Sequence, residues 1–126
     1  MTRLQQAARA VAEGIGALNQ LTLGPGDQLE SPSDVSDVVA GLSLAVSLMP
    51  QLLGQLAAFL EIQHVKEVLA GGEKAGVGER VRAISDALHR AGLDAEAMAA
   101  ALDTARAACA QLQASEAADN RRPGRQ

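Results

Sequence analysis

The chain has no Trp and no Tyr, and Phe59 is its one aromatic residue in 126. That absence removes whole classes of function. Single-stranded nucleic acids are held on aromatic stacking platforms, quaternary ammonium groups in aromatic cages, and membrane spans are flanked by belts of Trp and Tyr. None of these can be built here. A single cysteine, Cys109, excludes an intrachain disulfide and makes a reducing compartment the default, so a cytoplasmic location is expected. Positive charge is also scarce. Eleven Lys and Arg face fifteen Asp and Glu, for a net charge of −4 and a pI near 5.1, which disfavours nucleic acid as the main partner. Lys66 and Lys74 are the only lysines beside many Arg, Ala and Gly, a bias associated with GC-rich bacterial genomes. At the N-terminus, Glu13 and the glutamines interrupt any apolar run that could serve as a signal peptide.

With aromatics missing, the 48% apolar content must come from Leu, Val, Ile, Met and Ala. Sheets favour aromatic and β-branched residues, whereas Ala and Leu are strong helix formers. The composition therefore predicts an all-α fold, and the length is that of one domain with enough chain to bury a core.

The most distinctive stretch is Val38–Leu60, VVAGLSLAVSLMPQLLGQLAAFL, which carries no charge between Asp37 and Glu61. As a helix it would be about 34 Å long, enough to cross a bilayer. Against a span stand Ser43, Ser47, Gln51, Gln55 and a central Pro50, together with acidic flanks where a Lys/Arg cluster is expected. The favoured reading is the core helix of a soluble bundle. Ser31, Pro32 and Asp34 form a helix start, and Gly71-Gly72 a stop. Between them Pro50 lacks any turn-forming neighbour, so the sequence predicts one continuous helix kinked at Pro50.

Around it the periodicity places companions. Leu4, Ala8, Val11, Ile15 and Leu18 recur at steps of four and three over residues 2–20, a coiled-coil-like stripe that needs a partner. Gly24-Pro25-Gly26-Asp27 reads as a turn. A third helix is predicted over about 78–91, with Val81, Ile84 and Leu88 inward and Gly92 at its C-terminal cap. A fourth follows over 94–114, with Met98, Leu102, Ala105, Cys109 and Leu112 at heptad spacing. Residues 115–126, with Arg121, Arg122 and Arg125, read as a disordered tail.

Little of this supports chemistry. GGEKAG at 71–76 has the glycine spacing of a phosphate loop, but Val77 stands where Lys is required and no strand precedes it. Glu61-x-x-His64 and Asp86-x-x-His89 resemble the paired ligand motifs of di-metal bundles, with Glu13 and Asp103 as further candidates. The helical wheel, however, turns Asp86 away from its apolar stripe. Cys109 falls on a core stripe, where a buried thiol is an inert small hydrophobe. A helix-turn-helix reading of helices 3 and 4 fails because the second begins with Asp94 and Glu96, which repel phosphate. The sequence thus points to no enzyme, no cofactor and no metal.

The expectation is a small all-α bundle of about four helices, residues 1–114, around a long, kinked, apolar central helix. Helices 1 and 4 would lay their stripes against it. Its inferred role is non-enzymatic protein–protein interaction or assembly, with itself or another helical protein, as a homo-oligomer. Leu52, Leu53, Leu56 and Phe59 on one side, and Ile62 and Val65 on the other, are the candidate partner-binding residues. The alternatives are a membrane protein anchored through residues 38–60 and a four-helix metal or ligand carrier. No small-molecule substrate is indicated.

Overall fold

The computed structural model describes residues 1–24, 29–72 and 74–121. Every regular element among them is α-helical: α1 (Arg3–Leu21), α2 (Pro32–Ser47), α3 (Met49–Leu69) and α4 (Val77–Asn120). The all-α expectation holds. The expected turn at Gly24–Asp27 extends into residues 25–27, which lie outside the described residues, as do Glu73 in the loop between α3 and α4 and tail residues Arg122 and Arg125.

Pro32–Leu69 is one long helix bent at Leu48. Asp34 fixes its start by accepting hydrogen bonds from the backbone N–H groups of Glu30 and Ser31, at 2.8 and 3.2 Å. These are donors that no preceding helical turn could satisfy. At the bend, Pro50 occupies the second position of α3. Having no N–H, it interrupts the ladder there, and Leu48 passes the chain from one arm to the other in near-helical conformation. Gly71 then ends α3 with φ of +75°, a left-handed conformation in which a glycine avoids the Cβ clash.

α4 runs back antiparallel along both arms and packs against α2 and α3 alike. It is a single helix of 44 residues, about 66 Å long. Here the structure differs from the two shorter helices expected. Gly92 does not cap anything: it continues the helix without a positive φ. A Cβ built on it would lie 3.7 Å from Pro50 Cα, so Gly92 sits where α4 crosses closest to the bend. Nor does the helix stop at Ala114; it continues to Asn120.

The register between the arms is constant through the bend. Ser43 on α2 donates to Asp103 on α4 at 2.6 Å, and Ser85 on α4 donates to Glu61 on α3. Ser43 precedes Glu61 by eighteen residues, and Ser85 precedes Asp103 by eighteen. The same tie is therefore made twice, related by an approximate two-fold axis near the Pro50–Gly92 crossing.

The seam itself is thin. Its buried residues are Ser43, Val46, Ala57, Ser85, Gly92 and Ala95, and no large side chain is fully buried. Positions 43, 46, 50, 53, 57 and 60 on the bent helix recur at steps of three and four, and so do 81, 85, 88, 92, 95 and 99 on α4. All of them are buried or half-buried, which gives a coiled-coil-like seam lined with small residues that let the backbones approach. This phase differs from the one expected for α4. Ser85 takes the inward place expected of Ile84, while Met98 and Leu112 face outward.

The other departure is α1. It is well capped: Thr2 Oγ1 accepts from the Gln5 N–H at 3.0 Å, and Gln5 Oε1 accepts from the Thr2 N–H at 2.8 Å. Yet it packs on no other helix, and Leu4, Val11 and Ile15 are exposed. The stripe expected to lie against the central helix is unpartnered in the single chain.

Candidate interaction surface

The bent helix has two apolar faces with opposite characters. The inward one carries Ser43, Val46, Pro50 and Ala57 against α4. A second set, Val38, Leu42, Ala45, Met49, Leu52, Leu56 and Phe59, also recurs at steps of four and three. It lies one residue, about 100°, round the helix from the seam positions and so flanks the seam: Val38 and Leu42 are half-buried, while Ala45, Met49, Leu52, Leu56 and Phe59 are exposed. Phe59 is 60% exposed, Leu52 52% and Leu56 45%, whereas Ala57 between them is 0% exposed. Large side chains remain exposed on the flank, while the most deeply buried seam position is an alanine.

Three of the six candidate partner-binding residues, Leu52, Leu56 and Phe59, fall on this outer stripe. Ile62 and Val65 are exposed to a similar degree. Leu53 belongs to the seam and is half-buried. Val38, Leu42 and Met49 share the stripe's spacing, Met49 exposed and the other two half-buried. The four-three spacing could have revealed them; merging Val35, Val38, Val39, Leu42, Val46 and Met49 into one run hid two faces in a single series.

Leu44 and Leu48 add further exposed apolar surface beside the stripe. The whole chain exposes 9613 Å², about half again the roughly 6,300 Å² of a compact protein of this mass. The excess belongs to an elongated hairpin, an undocked α1 and an uncovered stripe.

A groove of mixed polar and apolar lining lies across α3 and α4, near the loop between them. It has a volume of about 280 Å³ and is lined by Glu61, His64, Arg82, Ser85 and Asp86 among others. Both acid-x-x-His motifs contribute to this end of the hairpin, and His89 Nε2 lies 3.7 Å from Glu61 Oε1. Among the described residues, however, no three His, Cys, Asp or Glu side chains converge as a metal would require. The order of groups also differs from a nucleophilic triad, in which the imidazole touches the hydroxyl. Here the carboxylate sits between Ser85 and His89, so the cluster can tie α3 to α4. Cys109 is half-buried on α4.

By length and composition Pro32–Leu69 is long and apolar enough to cross a membrane, the one such helix among the described residues, and most of it is unburied. Fold and surface together define an all-α helical hairpin with an exposed apolar stripe and a separate amphipathic helix. No protein-family model, curated protein or solved structure matches the chain.

Proposed function

We propose that this protein is a non-enzymatic helical interaction or assembly module that works as a homo-oligomer. The carrying observation is the inverted distribution of side-chain size on the bent helix. Leu52, Leu56 and Phe59 are exposed while Ala57 and Ser43 fill the seam. Burial scales with apolar area at about 25 cal/mol per Å², and of the seam's apolar side chains Leu53, Leu60, Val81 and Leu88 are only half-buried, so the seam contributes little. Contiguous apolar patches beyond a few hundred Å² mark interaction sites in soluble proteins.

A membrane anchor over residues 38–60 is the second reading, favoured by the helix's length and hydropathy. Weighing against it is α4, whose stretch opposite residues 43–61 carries Asp86, Arg90, Asp94, Glu96 and Asp103. Inserting the intact hairpin would bring these charges into hydrocarbon, at a cost of about 2.5–3.5 kcal/mol each at mid-bilayer. The anchor reading therefore requires the hairpin to open.

Light scattering on a sizing column, with protein expressed without detergent, separates the readings. A discrete assembly at a multiple of 12.9 kDa is the expected result. A clean monomer would overturn the proposal. Recovery only from membranes, with release by detergent, would replace it with the anchor.

A further inference from the structure

We infer that the side of α4 opposite the seam is a contact between two copies of the chain, laid antiparallel and crossing level with Leu88. This deepens the assembly reading and rests on it. The contact is written in the charges Arg82, Asp86, Arg90 and Asp94, which follow one another at steps of four and alternate in sign. All four are exposed. At 100° per residue, the middle two lie about 160° round the helix from Leu88 on the seam. Arg82 and Asp86 also border the groove across α3 and α4. Charges at steps of four can pair within their own helix. Among the described residues, however, none of these four side chains makes an ion pair inside the chain, so the whole row is available to a partner.

The order of signs selects that partner. Read backwards, plus–minus–plus–minus becomes its own complement. A second copy turned end for end therefore sets Arg82 against Asp94 and Asp86 against Arg90, and by symmetry each match is made twice. A parallel copy in register opposes like charges at every position, which repels. A parallel copy slid by one step matches only three of the four positions, and being head-to-tail it does not close into a pair. The antiparallel arrangement is isologous and closes. Rows of side chains at steps of four incline to the helix axis by about 26°, so two such rows lie along one another when the helices cross at about 50°. Ala83, Ala87 and Ala97, which border the row, are exposed and small enough to let the helices approach. The chain carries −4 overall, yet this row is neutral, so two copies meet here without net repulsion. Exposed charge pairs add little affinity each; they set direction and choice of partner.

Charge exchange tests this, with self-association followed by light scattering over a concentration series at low salt and helicity by circular dichroism. Asp86→Arg opposes like charges twice across the axis and is expected to weaken association about tenfold. Should that variant lose helicity, Arg90→Asp alone makes the same two mismatches and serves in its place. The decisive arm combines Asp86→Arg with Arg90→Asp. The doubly exchanged row reads plus–plus–minus–minus, which restores every antiparallel match but puts two like-charged neighbours at steps of four within each helix. Recovery of the original association is the expected result. Loss in both the single and the double variant would overturn the inference, assigning the row to support of its own helix or to a head-to-tail contact. Association unchanged by Asp86→Arg would also overturn it, while leaving the assembly reading intact on another face. A monomeric unsubstituted protein would overturn both.

Discussion

The two faces of the bent helix obey opposite packing rules. Toward α4 the helix presents Ser43, Val46, Pro50 and Ala57, and the seam they form is close and regular, with hydrogen-bonded ties on both sides of the bend. On the flank of that seam Met49, Leu52, Leu56 and Phe59 are exposed and Leu42 is half-buried. The inner face fixes geometry: small residues set a short interhelical distance and one register. The exposed flank carries apolar area whose burial could release further free energy. The comparison teaches that alignment and stabilisation lie on different surfaces of the same helix.

The largest effect expected from breaking this arrangement is on the outer face. Leu56→Glu would bury an unpaired carboxylate in any assembly formed there, so association should weaken at least ~100-fold, read as a fall to monomer mass in light scattering. Retention of the assembled mass would show that the stripe is not the interface. On the inner face, Ala57→Leu must force a larger side chain into a position with no exposure. It should cost about 1–3 kcal/mol of unfolding free energy by urea titration.

A sharper probe is Gly92→Ala. The added Cβ would rest at 3.7 Å from Pro50 Cα, an ordinary contact, and alanine is better than glycine in a helix interior by about 1 kcal/mol. The variant should therefore gain stability of up to that size. If Gly92 instead capped a shorter helix in the left-handed region, the same change would destabilise by a similar amount, so the sign of the shift decides between one helix and two. The smallest effects are expected at the ties. Ser43→Ala and Ser85→Ala should each cost about 1 kcal/mol, and their double variant should be additive within ~0.5 kcal/mol because they lie far apart on the seam.

Much of the architecture was legible in the residues. Missing aromatics and abundant Ala and Leu pointed to helices, Asp34 and Gly71 marked the ends of the central one, and Pro50 its bend. What escaped were features whose side chains carry no hydropathy signal. Ser85 and Gly92 lie on the seam because they are small, and an apolar-stripe search passes over both. Ile84 and Met98 were therefore assigned inward, and Gly92 was taken as a stop. The heptad stripe of α1 was plain, but a stripe declares only the need for a partner, and in the single chain α1 packs on no other helix. Of the candidate partner-binding residues, Leu52, Leu56, Phe59, Ile62 and Val65 are exposed and Leu53 is half-buried, because Leu53 falls on the seam's own three–four spacing.

The hairpin's closed end lies between Leu69 and Val77, while its open end joins the start of α2 to the last turns of α4. Tension applied at Pro32 and Asn120 would load the seam one layer at a time, from the Ser36 end toward the bend. No large side chain in these layers is fully buried, so the two helices should peel apart progressively at low force. The same seam pulled lengthwise would load all its layers together and resist far more. Mechanically the hairpin is a zipper whose pull tab is the end to which α1 is tethered.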